Sequence, residues 1–546
     1  MLFNSYEFIF VFLPVVLAGC FVLARFAGAQ AAQLWLTAAS LYFYGSWNLR
    51  YLPLLLGSVV FNYGVARLLV RTPDEGRKRA LILGAAAVNL ALLGYYKYTN
   101  YFLGTVNDVV GTRFVVEQIL LPLGISFYTF QQLTLLVDIG RGTIERFRFR
   151  DFLLFVTFYP HLIAGPIVHH REMMPQFQAA DYRMRAENLA VGLTLFAVGL
   201  FKKAVLADGI ANQVVPLYSI ANSGQEMSLL YAWGAAVGFT LQMYFDFSGY
   251  SEMALGLGRM VGIKLPMNFN SPLKATSIIQ YWSCWHITLT RFLTAYIYNP
   301  VAVALTRRRL TAGLKGVRGV RTEPRAFAML IAVPTVVTMF LSGLWHGAGN
   351  QYLVFGLLHA GYLTVNHAWR LWRPKFWANG PGYARVMGPV GLVLTFLSAS
   401  VALTYFAAAS VGSGNAIVSG MVGAHGVVLP SVIANRLPGV AGVLGSLGVG
   451  FAPGSITGLM SLYAWMGVLL LIALVPPNIL QLMLAYQPAV TLPAPYPSEG
   501  TLAPFRRLWG GMGWRPGVGW AVAVAAMTML GILTLNEVTE FLYWQF

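Results

Sequence analysis

Ser342-Gly343-Leu344-Trp345-His346-Gly347-Ala348-Gly349-Asn350 is a histidine set in a glycine-punctuated break between two long apolar segments, 326–345 and 350–370. Apolar runs of that length on both sides of so short a break predict a pair of membrane-crossing helices, and that decides the fold class. An imidazole at that depth is costly unless it is partnered or used, so His346 is a functional-site candidate from the outset. The small residues around it are expected to leave room for a ligand to approach.

The same pattern extends over the whole chain of 546 residues. It is 57% hydrophobic and only 10% charged, with a mean hydropathy of +0.63, which leaves too little polar surface to cover a soluble globule of that size. No long soluble module interrupts the apolar runs, so a single polytopic domain over 1–546 is expected. Its parts are N-terminal helices (1–140), a core (141–370) and C-terminal helices (371–546). The net charge of +18 does not point to nucleic acid, because the basic residues fall in short clusters between apolar segments, as the positive-inside rule places them. Cys20 and Cys284 are far apart in apolar surroundings and do not suggest a disulfide framework or a zinc site. The first apolar segment has no basic flank and no cleavage site, and reads as a retained helix.

Twelve spans are predicted: 6–26, 31–47, 50–70, 80–96, 115–139, 187–207, 227–250, 326–345, 350–370, 386–410, 457–479 and 518–540. Basic loops at Arg25, Arg71 to Arg79, Arg141 to Arg150, Arg307 to Arg325, Arg370 to Lys375 and Arg506-Arg507 put the N-terminus outside. Residues 151–169, broken by Pro160, Gly165 and Pro166, read as a re-entrant hairpin that places Tyr159, His161 and His169 beside a cavity. Residues 411–455 read as an outer loop lying on the membrane, and the closing Phe541 to Phe546 as an interfacial aromatic belt. The awkward residues are Lys202 and Lys203, which fall toward the outer half of a span, so that either both snorkel or the boundary of the span lies elsewhere.

Asp246 and Glu252, at i and i+6, do not share a helical face. They read as buried carboxylates satisfied by backbone amides, hydroxyls or an arginine such as Arg259. Tyr281 to Arg291 reads as one amphipathic helix, in which His286 is either a packed core residue or a second substrate-orienting group. His346 either caps helix-end carbonyls or acts as a general base that takes a proton from a hydroxyl. His359 and His367 lie at i and i+8, but no carboxylate or cysteine completes a ligand set with His346, so no metal is expected there.

These motifs, in order and nearly end to end, resemble the membrane-bound O-acyltransferase (MBOAT) family, in its bacterial branch typified by the alginate O-acetyltransferase membrane subunit. The resemblance is carried by Phe8 to Pro14, Leu41 to Tyr51 (LYFYGSWNLRY), Leu121 to Gly142 (LPLGISFYTFQQLTLLVDIGRG), Phe158 to Pro175 (FYPHLIAGPIVHHREMMP), Leu241 to Asn268 and Ser342 to His359. It implies an all-α integral membrane bundle of roughly 11–13 transmembrane helices, with re-entrant and amphipathic pieces around a central tunnel. It also implies His346 as catalytic base, His286 as the second signature position, and Trp285, Trp345, Tyr281, Asp246, Ser342 and Asn350 along the substrate path. No tightly bound cofactor is implied. The donor is acetyl-CoA or an acyl thioester on an acyl carrier protein. The acceptor is an extracytoplasmic polysaccharide, reached directly or through an extracytoplasmic acetyltransferase partner, and the setting is the bacterial inner membrane with its lipids. D-alanyl transfer to a cell-envelope polymer is the sister activity, and a non-catalytic conduit for export is the reading of another class. The sequence departs from the family where Ser283 and Cys284 replace an arginine pair, where Thr294-Ala295 replaces Arg-Asp, and where Tyr405-Phe406-Ala407 lacks a nearby arginine. These departures bear on donor and partner, not on the base.

Overall fold

In the computed structural model, described over residues 1–114, 119–144, 147–494, 506–509, 512–535 and 541–542, all twelve predicted segments contain a helix. Seven are long and apolar enough to cross a membrane: Phe8–Phe26, Leu49–Arg71, Glu75–Val110, Ala186–Asn222, Pro324–His346, Gly380–Ala407 and Ile456–Tyr486. Ala29–Gly45, Ile125–Gly140 and Val518–Leu533 are apolar but shorter. Leu229–Met260 and Asn350–Phe376 are long but carry polar residues inward. Those polar residues are tolerable because the bundle, not lipid, surrounds them: nearly every side chain from Gly234 to Met260 is buried. Residues 115–118, 145–146 and 536–540, the Arg506 and Arg507 side chains, and Tyr543 to Phe546 of the expected belt lie outside the described residues.

The 229–260 helix is the axis of the bundle, and the 186–222 helix lies against it. Glycines at the same seven-residue spacing let the two backbones touch. A Cβ at Gly192 would stand 2.7 Å from the Gly256 carbonyl oxygen, and one at Gly249 2.7 Å from that of Gly199. Small-residue contacts of this kind are how helices associate where lipid removes the hydrophobic drive.

At Lys202–Ala207 the 186–222 helix widens into a π turn. Here the expectation of snorkelling lysines is corrected. Lys202 Nζ is 2.5 Å from Glu252 Oε1, and Lys203 Nζ is 2.7 Å from Asp246 Oδ1 and 2.8 Å from Asp208 Oδ1. Arg259 is therefore not the partner of either carboxylate; its guanidinium reaches Glu187 at 3.1 Å. Two lysines turned inward meet three carboxylates, which removes their reason to seek the interface.

The proline-broken stretch forms two short helices, Phe149–Thr157 and Tyr159–Leu162, followed by an irregular segment to His169, and it is buried from Leu154 to Val168. Protein covers the open backbone, as a re-entrant segment requires. The Tyr159 N–H donates to Ser40 Oγ (3.1 Å) and the Ile167 N–H to Thr288 Oγ1 (3.0 Å).

Residues 411–455 are not a loop lying flat. They form a helix (Val411–Met421) and a parallel strand pair, Val427–Pro430 beside Val449–Ala452, bridged by helices Ser431–Arg436 and Pro438–Ser446. Valine-rich strands and a helical crossover are what a parallel pair needs.

Candidate functional site

His346 is the last residue of the Pro324–His346 helix, and Gly347 to Gly349 run extended into the next helix at Asn350. The glycines do not open space for a ligand, as their small size suggested. A Cβ at Gly347 would run into the Tyr352 ring, and one at Gly356 would stand 3.1 Å from Gly343 Cα. Their role is to let the two helices close tightly, which holds the imidazole in a fixed place.

A helix end leaves carbonyls without intrahelical donors. Here the donors come from another element. Tyr98 Oη donates to Leu344 O (2.7 Å), and Lys97 Nζ donates to Trp345 O and, at 3.5 Å, to His346 O. Capping is thus supplied by the Glu75–Val110 helix, and a cation at a helix C-terminus also meets the negative end of the dipole. The capping task weighed for His346 falls to Lys97 and Tyr98. Neither was singled out in the sequence, although one lysine in the aromatic run Tyr95-Tyr96-Lys97-Tyr98 is the intramembrane-charge signal that marks such positions.

The His346 ring lies among Trp345 (4.8 Å between centroids), Phe355 (5.6 Å) and Phe406 (5.2 Å). Phe406 belongs to the stretch that lacks the family's arginine. On another side, His346 borders a pocket shared with Lys97, Gly124, Ser126 and Ile163, with about 40 Å³ open to water-sized molecules. That is room for a few waters or a small acyl head, not for a large ligand. Ser342, fully buried and one turn before His346, shares its helical face.

His286 arrives from the opposite direction in sequence and topology. The expected single helix over 281–291 is in fact two, Ile278–Cys284 and Ile287–Leu293, with His286 between them at φ 43° and ψ 52°. A non-glycine residue in the left-handed region is uncommon and is held there by its surroundings. The anchor is Asn268. Its Oδ1 accepts from His286 Nδ1 (3.0 Å) and from the Thr288 hydroxyl (2.9 Å), while its carbonyl accepts from the Ile287 N–H (2.9 Å). With Nδ1 as the donor, the neutral ring carries its lone pair on Nε2. Asn268 closes the Leu241 to Asn268 motif, and its role was not foreseen.

The Trp345 indole lies between the two histidines, 6.2 Å from His286 and 4.8 Å from His346. Tyr281 stacks on Trp285 (5.5 Å, 12°) and on His359 (6.2 Å, 8°), whose Nδ1 accepts from Trp282 Nε1 at 3.2 Å. His359 is thereby bound into the wall. Asn350 Oδ1 accepts from Tyr101 at 2.6 Å, on the same helix as Lys97. Asp246 stands apart in the lysine cluster, joined to the histidines through its neighbour Phe247, whose ring meets His286 edge-on at 4.8 Å. Predicted residues Tyr281, Trp285, His286, Ser342, Trp345 and His346 therefore gather around one aromatic-walled region, with Asp246 behind it and Asn350 exposed at its edge.

A buried imidazole fixed beside a small pocket is suited to proton transfer from a hydroxyl. Residues 99–314 match the model of the membrane-bound O-acyltransferase family. The peptidoglycan O-acetyltransferase of Helicobacter pylori is 39% identical over 458 residues, 79% of this chain and 81% of that protein. The chain belongs to the membrane-bound O-acyltransferase family. The probable alginate O-acetylase AlgI of Pseudomonas aeruginosa is 35% identical over 419 residues, 75% of this chain and 72% of its own. The teichoic acid D-alanyltransferase of Bacillus subtilis is 26% identical over 278 residues, 50% of this chain and 65% of its own.

As a membrane-bound O-acyltransferase, this multi-pass protein is an enzyme that takes an acyl group from a donor to an acceptor oxygen. Its departures from the family pattern divide by place: Ser283, Thr294 and Ala295 are exposed, whereas Phe406, in the stretch without the arginine, is buried against the His346 ring.

Proposed function

We propose that this acyltransferase carries acetyl from a cytoplasmic thioester, acetyl-CoA or an acyl carrier protein, to the O-acetylation of an extracytoplasmic polysaccharide across the bacterial inner membrane. The observation that supports the catalytic part is the capping of the Leu344 to His346 carbonyls by Lys97 and Tyr98, which supplies helix-end donors from other side chains and favours a chemical role for the buried imidazole. His346 takes the proton of the acceptor hydroxyl as its oxygen bonds to the acetyl carbon. The C–S bond breaks, and the leaving sulfur receives the proton. His286, held by Asn268, orients or polarises the thioester from the donor side. A narrow path to the His346 pocket would suit this chemistry, because a phosphorylated carrier cannot enter hydrocarbon whereas acetyl on a thin arm can.

The polysaccharide acceptor is supported by relatives whose names specify peptidoglycan and alginate. Transfer of D-alanine is the second reading, supported by relatives named for teichoic acid. Mass spectrometry of envelope glycans from cells with and without the gene tests both. Loss of acetyl esters on deletion, restored by the wild-type gene and not by His346→Ala, is the expected result. Loss of alanyl esters alone would replace acetyl by the second reading, and no ester loss would remove both.

A further inference from the structure

Away from the His286 and His346 region, Asp138, His169 and His170 converge. Asp138 lies in the last turn of the Ile125–Gly140 helix, and the histidines end the re-entrant stretch and begin the His170–Ala179 helix. His169 Nε2 is 2.9 Å from Asp138 Oδ2, His170 Nε2 is 3.9 Å from the same oxygen, and one ligand atom from each residue lies within 4.8 Å of the others. Tyr296 Oη joins them, 2.8 Å from Asp138 Oδ2 and 3.0 Å from His169 Nε2.

His170 is the telling member. It is 3% exposed, and neither ring nitrogen has a hydrogen-bond partner among the described residues. A buried imidazole whose two nitrogens make no hydrogen bond, one of them only approaching Asp138 Oδ2 at 3.9 Å, calls for an explanation, and an ion is one that the neighbouring carboxylate and histidine make specific. Arg141 approaches the other carboxylate oxygen, Oδ1, at 3.6 Å, which leaves Oδ2 to the cluster. His169 is about a quarter exposed and gives an entry path from solvent.

We propose that Asp138, His169 and His170 bind a divalent transition-metal ion, with Tyr296 or water completing the shell. Two imidazoles and a carboxylate form a borderline-soft N2O set that favours Zn²⁺ over Mg²⁺ or Ca²⁺. Bonds of about 2.0–2.2 Å require the three side chains to draw in around the ion. At His169 the ring proton passes to Nδ1, at the expense of the 3.3 Å contact that Nδ1 accepts from the Arg171 N–H. The ion would tie the helix after Gly124 and the re-entrant tail to the Thr294–Tyr298 turn that follows the His286 module.

The test uses untagged full-length protein in detergent, stripped with chelator and titrated with CoCl2. Expected are visible ligand-field bands that saturate at one equivalent and are bleached by Zn²⁺, and absorption at the zinc K edge that shows an imidazole-containing shell in the zinc-loaded wild type. Asp138→Asn and His170→Ala lose the bands, while His425→Ala, at a separate Glu226 pair, keeps them. Wild-type protein that fails to saturate at one equivalent, or folded Asp138→Asn and His170→Ala proteins that bind unchanged, overturns the proposal. The wild-type measurements decide it even if both variants misfold.

Discussion

Lys97 and His346 form a working unit although no direct bond between their side chains is invoked. The ammonium fixes the backbone on which the imidazole is mounted. Lys97→Met removes the donor but keeps much of the length, so turnover should fall at least about tenfold while the protein remains monodisperse, because small misplacement of a reacting group costs rate steeply. An unchanged rate in reconstituted vesicles would reduce Lys97 to a surface cap. His346→Ala should lose about 10²–10⁴-fold, the usual range for a general base. If ester formation persists near the wild-type level in the same vesicles, the base is another residue. The histidine was legible from the glycine-flanked motif. Lys97 and Asn268 were not, because each acts on a residue over a hundred positions or about twenty positions away, and no local pattern announces such contacts.

At the scale of elements, the paired lysines and acids on the 186–222 and 229–260 helices are the main test of how the bundle holds together. Breaking one buried partner leaves its mate charged and dry, a loss of about 3–5 kcal/mol. Lys203→Met should therefore lower thermal stability in detergent markedly, and Lys203→Met with Asp246→Leu should recover much of it. A double variant as unstable as the single one would show that the pair is not a self-contained unit, with Asp208 the first suspect. Apolar length alone located all twelve helical segments. It did not show that Tyr281 to Arg291 breaks at His286, since amphipathic spacing runs through the break and the left-handed residue is imposed by Asn268 from outside the segment. It also missed the strand pair in 411–455, where short valine-rich runs have no period long enough to separate strand from loop.

For the whole molecule, the Arg307 to Arg309 cluster offers an anionic donor fewer free cations than its sequence suggests. Arg307 and Arg308 are exposed, but Arg309 is buried, bonded to Glu323 Oε2 at 2.8 Å and to the Lys315 carbonyl at 3.0 Å. Neutralising Arg307 and Arg308 together should raise the apparent KM for acetyl-CoA severalfold at low salt and flatten its salt dependence, with kcat kept. An unchanged KM and salt slope would assign these arginines to lipid and orientation alone. Arg309→Ala should instead reduce stability, which a thermal melt distinguishes. Charge clusters are readable in a sequence as a balance across the membrane, but which arginine faces outward depends on packing that the cluster does not encode.

The widened turn at Lys202–Ala207 has a consequence for how this chain can change over time. Successive residues on a regular helix point about 100° apart, so two adjacent lysines would not ordinarily both find acids on one neighbouring rod. The π turn is equivalent to one extra residue accommodated without shifting what lies beyond it. Loss of a single codon there would return the turn to a regular helix and keep the part toward Asn222 in phase with the 229–260 helix, but it would take one lysine away from its acid, whereas a single-codon loss in the regular turns on either side would rotate everything beyond it, and the same deletion at 438–446 would only shorten an exposed helix.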